Sequence, residues 1–443
     1  MTAPEDIIQQ LRTTLAEHEG LSIMLEKSVR RARERAEADL DPDLFDALDW
    51  PGNLDEYEQY LRGFLRWIPQ ESGARAWHKQ DGGTSSSREI SDRLAHFFWL
   101  IDQKDGDDGK AIGESSAAFR QWCTAYAREW GAFLDTPESF SQDILDSFTT
   151  NSPEFTVGES LVGGRPNAPS GWLSFNQFFA RELNPGLRPI TNPASNLVVT
   201  SPADCTFQHT YDIGERSEIP PTTLKGTHIY GTIDQLLAGS RYADTFAGGT
   251  FAHYMLPPWA YHRFHLPVSG RIEESFVIQG TVVLEVDLVE HEFVSSDATT
   301  TGFEFSQTRG VLTLDTTGSP AGDVGIVAVV PVGMSHVGSV VLTAAEGTQV
   351  SKGDEFGYFQ FGGSDIILLF KRASPPRSTP TPAPDTSAPP PYAASPSPAD
   401  PVSAAITYAA PDRVARPGVW RWPGPGANRR PFVSQVGAFV RIR

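Results

Sequence analysis

Apolar residues recur at helical spacing through the first third of the chain, and beyond residue 197 they recur as short runs broken by turn residues. Ile7, Ile8, Leu11 and Leu15 fall on one face of a helix. Leu44–Trp50, Tyr57–Trp67, Ile90–Leu100 and Phe119–Phe133 continue that periodicity. The charged run Glu26–Asp39, with Arg30, Arg31, Arg33, Glu34, Arg35 and Glu37, reads as the solvated face of a helix. Asp102–Gly109 is a polar loop. Its composition is that of a calcium loop, but no glutamate occupies the final ligand position, so calcium is not expected. Trp77-His78-Lys79 stands out without indicating a role.

From about 150 to 195 the composition shifts to Gly, Pro, Ser and Asn, which marks a connection. Inside it, Ser174 is placed to cap a helix, with Gln177 three residues on completing a capping box and Asn184-Pro185-Gly186 ending the helix. The following runs predict strands: Val198–Thr200, Arg271–Ile278, Val282–Leu288, Val324–Val330, Val337–Thr343, Phe356–Phe361 and Ile366–Phe370. Beyond Lys371 the chain is rich in Pro, Ser, Thr and Ala, a composition that buries too little apolar area to offset the entropy of ordering. The fold class expected is α+β. A helical region over 1–155 precedes an antiparallel β-rich catalytic domain over 156–372, and a disordered Pro-rich tail covers 373–443.

Composition narrows the function. The chain has 443 residues and a formal charge of −19, which argues against nucleic acid as the main partner and against strong docking onto anionic lipid. Two cysteines, Cys123 and Cys205, provide neither a disulfide framework nor a cysteine-rich zinc site. No apolar run approaches the roughly 18–20 residues that span a bilayer, and the acidic N-terminus lacks the pattern of a signal peptide. A soluble, cytoplasmic protein is expected, with peripheral membrane contact left open.

The candidate chemistry centres on Phe361-Gly362-Gly363-Ser364-Asp365. Taken alone, Gly-Gly and Gly-Ser between two apolar runs describe a β-hairpin turn. The alternative is self-cleavage, in which Ser364 Oγ attacks the Gly363 carbonyl; glycines leave that carbonyl open and permit unusual dihedrals. Such a serine needs a base and a carboxylate to orient it. Asp204, His262 and His265 are the candidates, although Asp204 also reads as a turn residue and the histidines as ordinary core or surface residues. His262 and His265 would face opposite sides of a regular strand, so both enter one site only if the backbone is irregular, as Pro257-Pro258 allows. A metal is not expected at His-x-x-His, where only His253 is at hand as a further ligand.

These segments, in this order, resemble the phosphatidylserine decarboxylase family of pyruvoyl enzymes, which includes fungal tryptophan decarboxylases. The resemblance runs from Trp172 through Phe370. It rests on Phe178-Phe179-Ala180-Arg181-Glu182-Leu183-Asn184-Pro185-Gly186-Leu187-Arg188-Pro189-Ile190, Ser201-Pro202-Ala203-Asp204, Lys225-Gly226 with Leu236-Leu237, Tyr261–Gly270, Lys352–Gly357 and Phe361–Ser364. The resemblance implies cleavage between Gly363 and Ser364, and a pyruvoyl group made from Ser364 that takes up a substrate amine and serves as electron sink for loss of a carboxylate. It also implies that the two fragments stay associated. Asp204 with one of His262 and His265 would drive cleavage, and the other histidine would serve decarboxylation. Three departures from the pattern are Cys205, where a glycine is usual, Asp365, where Ser or Thr is common, and the tail after Lys371, which resembles no ending of the family. The substrate implied is the phosphatidylserine headgroup or, with the long helical region before the catalytic part, a free aromatic L-amino acid such as tryptophan. A non-cleaving scaffold whose Pro-rich tail recruits partners is the alternative of another class.

Overall fold

The N-terminal helices form where the apolar spacing predicts them, and polar caps fix their starts. A computed structural model describes residues 3–78, 87–104, 110–169, 171–224, 228–282, 284–295, 306–334, 339–372 and 440–441. The expectations for the Pro-rich tail, for Lys225-Gly226 and for most of the Asp102–Gly109 loop concern segments outside these residues. Helices α1 (Ala3–Glu17), α2 (Leu21–Asp39), α3 (Leu54–Phe64), α4 (Glu89–Ile101) and α5 (Ala117–Leu134) pack around Tyr57, Trp99, Tyr126 and Trp130, all fully buried. Asn53 Oδ1 accepts from the Glu56 amide at 2.9 Å and Ser116 Oγ from the Phe119 amide at 3.1 Å, satisfying donors that the first turn leaves unpaired. The charged run lies on α2, whose buried side carries Leu25, Val29, Ala32 and Ala36. Arg35, half-buried, covers the Trp99 ring at 4.6 Å and donates to Gln103.

The connection contributes a short helix, α6 (Phe175–Phe179), capped by Ser174 Oγ at the Gln177 amide. It stops well before Asn184-Pro185-Gly186, where the sequence placed its end. The residues after it are held by longer-range bonds instead: Ala180 O accepts from Arg263 Nε at 2.8 Å, and Arg181 is drawn into the interior.

The β region contains a seven-stranded antiparallel sheet. Its strands are β1 (Thr206–Asp212), β2 (Thr250–Leu256), β4 (Gly270–Ile278), β7 (Arg309–Asp315), β8 (Ile326–Met334), β10 (Gln349–Val350) and β12 (Gly363–Phe370). A three-stranded sheet of β3 (Arg263–His265), β9 (Val340–Leu342) and β11 (Glu355–Phe359) packs beside it, and β5 (Val286–Val289) forms a hairpin with β6 (Glu292–Ser295). The order in the large sheet is β10-β4-β7-β8-β12-β2-β1, so β12 is hydrogen-bonded on both sides. One face of that sheet meets the small sheet across Tyr254, Leu256, Phe264, Phe356, Phe359, Ile366 and Leu368. The other face is covered by Ile233, Leu236, Leu237 and Phe246.

Helices and sheets share a core. Phe175, Phe178, Phe179, Val286, Phe293 and Phe361 belong to the same buried cluster as the helical residues, and the β5–β6 turn is tied to the end of α2 through His291. Among the described residues no helix is long and apolar enough to cross a membrane.

Candidate active site

The chain changes sheet at the glycine pair. Strand β11 pairs with β3 and β9, whereas β12 pairs with β8 and β2, so the hairpin reading of Gly362-Gly363 does not hold. A hairpin would require β11 and β12 to be hydrogen-bonded neighbours. Instead Gly362 carries the backbone between layers at φ 150°, a conformation that a side chain would resist.

Alternation along β12 then sorts its side chains. Ser364 lies across from Leu256 and Gly333, on the face of Ile366 and Leu368 that meets the small sheet. Its hydroxyl is buried without a hydrogen-bond partner. A buried hydroxyl is normally paired, which makes this one an exception. Asp365 points the other way, into the second core, and its Oδ2 stands 3.2 Å from His253 Nε2 without hydrogen-bond alignment. Both side chains are fully buried, and burial pushes the Asp365 carboxyl well above the usual range. The unusual aspartate after the serine therefore lies beside His253 and does not share the serine's face.

The two histidines arrive from the small sheet. His262 precedes β3 and is fully buried; its ring stacks on Phe179 at 4.0 Å, and Phe179 packs on Phe361 at 5.1 Å. The Ala260 carbonyl lies 2.8 Å from Nδ1 and can only accept, so Nδ1 carries the proton and Nε2 is a bare acceptor without a partner. Burial, with the Arg181 charge nearby, pushes its pKa down to about 3, which keeps the ring neutral. His265 is oriented from both sides. Its Nδ1 donates to Gly353 O at 2.9 Å, and its Nε2 accepts from the Tyr261 hydroxyl at 3.1 Å.

The Lys352-Gly353-Asp354 turn is the scaffold for His265. Buried Lys352 donates from Nζ to the carbonyls of Asn192, Ser195 and Val198, and Asp354 O accepts from the Leu266 amide. Gly353 has φ 89°, and a Cβ there would stand 2.6 Å from Ile190. Replacing Lys352 by Met orphans the three carbonyls, and we expect a loss of about 1.5–3 kcal/mol on urea unfolding together with slower maturation.

Asp204 is placed less simply. It is clasped by Arg188, with Nε at 2.9 Å from both carboxylate oxygens and Nη2 at 2.6 Å from Oδ2, and Arg188 also reaches Glu159 at 2.8 Å. No hydrogen bond joins Asp204 to either histidine among the described residues. Its turn nevertheless abuts His265, whose amide donates to Pro202 O at 2.6 Å, and the Asp204 charge reaches Tyr261. Cys205, the other departure, turns its thiol to Ser201 and the Ala203 carbonyl rather than to the carboxylate. Ring contacts thus link His262 through Phe179 to Phe361, three residues before Ser364, and Asp204 and His265 lie at an adjoining turn. Arg181, Arg188 and Tyr261 also belong to it. They stand inside or beside the quoted motifs, but a lone arginine in a motif does not announce which carboxylate it will meet.

A sequence profile of the phosphatidylserine decarboxylase family matches residues 175–383, the segment that contains all these groups. The chain is 32% identical over 255 residues to a phosphatidylserine decarboxylase proenzyme of Clostridium novyi, covering 56% of this chain and 75% of that protein. It is 34% identical over 200 residues to phosphatidylserine decarboxylase proenzyme 2 of rice, covering 45% of this chain but only 29% of that longer protein. A protein of Amanita muscaria named decarboxylase iboD is 29% identical over 264 residues, covering 54% and 73% of the two chains. The match to the clostridial protein takes in most of that protein, and the profile falls on the very strands that carry the serine and its histidines. The chain belongs to the phosphatidylserine decarboxylase family.

Proposed function

We propose that this decarboxylase matures by cutting its own Gly363–Ser364 bond and works through a pyruvoyl group left on residue 364. The observation that carries the reading is the buried, unpartnered Ser364 hydroxyl at the point where a positive-φ glycine passes the chain between sheets. Oγ adds to the Gly363 carbonyl, the C–N bond breaks, and the nitrogen takes the hydroxyl proton. Loss of the Ser364 α-proton then expels the Gly363 carboxylate. Water replaces the nitrogen, which leaves as ammonia, and a ketone remains at residue 364.

The residues present fit such a group, since β12 holds residue 364 from both neighbours and the residue is buried. When present, the pyruvoyl carbonyl supplies an electron sink for the decarboxylation. The chain supplies positioning and proton handling. His265, held by Gly353 and lying beside the Asp204 turn, is assigned with Asp204 to the proton of Ser364. His262, neutral and with a bare Nε2, is assigned to the proton that replaces the lost carboxylate. After cleavage β12 stays hydrogen-bonded between β2 and β8 of the other fragment, which supports their continued association.

Phosphatidylserine is the substrate this reading favours. A free amino acid such as tryptophan is the second reading, supported by the resemblance to the Amanita protein, whose name mentions no phospholipid. The test begins with the intact mass of freshly purified chain. Two species meeting at Gly363/Ser364, the second lighter by one ammonia than a serine terminus requires, are expected; a single full-length species in active material refutes the mechanism. Carbon dioxide release from phosphatidylserine vesicles and from tryptophan then separates the substrates.

A further inference from the structure

The helical region carries a cavity of its own, about 560 Å³ in volume, lined by aromatic rings and carboxylates. Spacing on two helices builds it. Tyr60 and Phe64 stand four apart on α3, and Arg93 and His96 stand three apart on α4, so each pair shares a helix face. Trp50 and Trp67 join the lining, and with Tyr60 they are only half-buried. Other rings back these three. Phe45 stacks on Trp50 at 4.9 Å, fully buried Tyr57 on Tyr60 at 6.2 Å, and fully buried Trp130 on Trp67 at 5.6 Å. The Trp50 indole is also pinned by its Nε1, which donates to Phe45 O at 2.9 Å. The lining carries an excess of negative charge. Asp49 and Glu56 are both exposed, and Asp49 makes no hydrogen bond or ion pair among the described residues. Glu56 accepts from the Gly52 amide at 2.7 Å and from Asn53 Nδ2 at 2.8 Å, neutral donors that leave its charge in place. Arg93, the cation in the lining, is already met by the buried Glu89 carboxylate at 2.8 Å and lies over the Trp77 ring at 4.8 Å. His96 adds no charge, because burial, with Arg93 nearby, pushes its pKa down to about 3.

We propose that this cavity is a second small-molecule site, separate from the catalytic centre, that takes a compact organic ammonium ion. Its lining shares no residue with the site around Ser364. The volume is that of a small-molecule site rather than a packing gap. The faces of Trp, Tyr and Phe rings carry partial negative charge, so an ammonium group gains an attraction there that a neutral group of the same shape does not. Rings already fixed by their neighbours lose little freedom when a ligand enters. Asp49 and Glu56 favour the cation further. They repel a carboxylate, so an amine is preferred over the amino acid that corresponds to it. The proposal goes beyond the decarboxylase reading and does not require it.

The test titrates the full chain with choline and reads equilibrium binding by calorimetry. Choline's nitrogen bears no proton, so it cannot form a Schiff base with a ketone elsewhere in the chain. Neohexyl alcohol, in which carbon replaces that nitrogen, is the neutral control, and betaine adds a carboxylate to the same ammonium group. Choline is expected to bind about 3–30-fold more tightly than the alcohol, the span of a cation–π contact, and more tightly than betaine. Asp49→Asn is expected to weaken choline about 2–5-fold and leave the alcohol unchanged, as for one partly screened charge. Trp50→Leu is expected to lose most of the preference for choline over the alcohol. The Asp49 variant keeps the test decisive if Trp50→Leu fails to fold, since the Asp49 carboxylate is exposed and bonded to nothing described. Ser364→Ala is expected to bind choline as the parent chain does, so the outcome is independent of maturation. Absence of choline binding, equal binding of the alcohol, or betaine binding as tightly as choline would each overturn the proposal. Choline binding unchanged in both cavity variants, or lost in Ser364→Ala, would place the cation elsewhere and overturn it as well.

Discussion

Ser364→Ala leaves the chain in one piece on a denaturing gel and releases no carbon dioxide from any substrate. The loss is expected to be complete, because alanine has no group to attack the Gly363 carbonyl and no ketone can form at residue 364. The same variant should fold as well as the parent. The Ser364 hydroxyl is buried without a partner, so its removal forfeits no hydrogen bond and takes away an unsatisfied polar group. Thermal unfolding of Ser364→Ala at or slightly above the temperature of an uncleaved parent, together with absent processing, would tie the defect to chemistry. A markedly less stable Ser364→Ala chain would mean that the hydroxyl serves the fold and that the site is misread.

The two histidines should separate maturation from turnover. His265→Ala is expected to accumulate full-length chain, since it removes the imidazole that Gly353 and Tyr261 hold beside the Asp204 turn. His262→Ala is expected to yield both fragments but to lower kcat by about 10²–10⁴, the usual contribution of a positioned proton donor or acceptor. Its ring is neutral at working pH, its Nε2 is buried without a partner, and it packs on Phe179, which in turn packs on Phe361. Time courses on a gel and carbon dioxide release on the matured fraction read the two steps independently. Normal processing and turnover in both variants would remove the histidines from the mechanism, and the reverse pattern would exchange their roles.

The short motifs of this chain supply different parts of the site. Lys352-Gly353-Asp354 contains no reacting group, yet its lysine gathers three carbonyls and its glycine carbonyl fixes the proton on His265 Nδ1. Arg188 holds Asp204 and Glu159 together. The Phe178-Phe179 pair provides the ring on which His262 lies. Each motif is one wall of a site assembled from distant stretches.

Periodicity alone determined the helical N-terminal region and the β-rich remainder, because burying one face of a helix or strand imposes a repeat that can be read without knowing what it packs against. The ordered short motifs likewise singled out Asp204, His262, His265 and Ser364 as the candidates for the reaction, since such chemistry calls for a nucleophile, a base and a carboxylate wherever they fold. Only the tertiary structure decided that Gly362-Gly363 joins two sheets rather than turning a hairpin, because local residues prescribe a turn but not the strand that the next segment will pair with. It also decided that Ser364 and Asp365 look into different cores, that Asp365 meets His253, and that Arg188 claims both carboxylates while Arg181 is left without one. These are contacts between residues far apart in the chain, and the partner of a buried charge is fixed by packing geometry that no local pattern encodes.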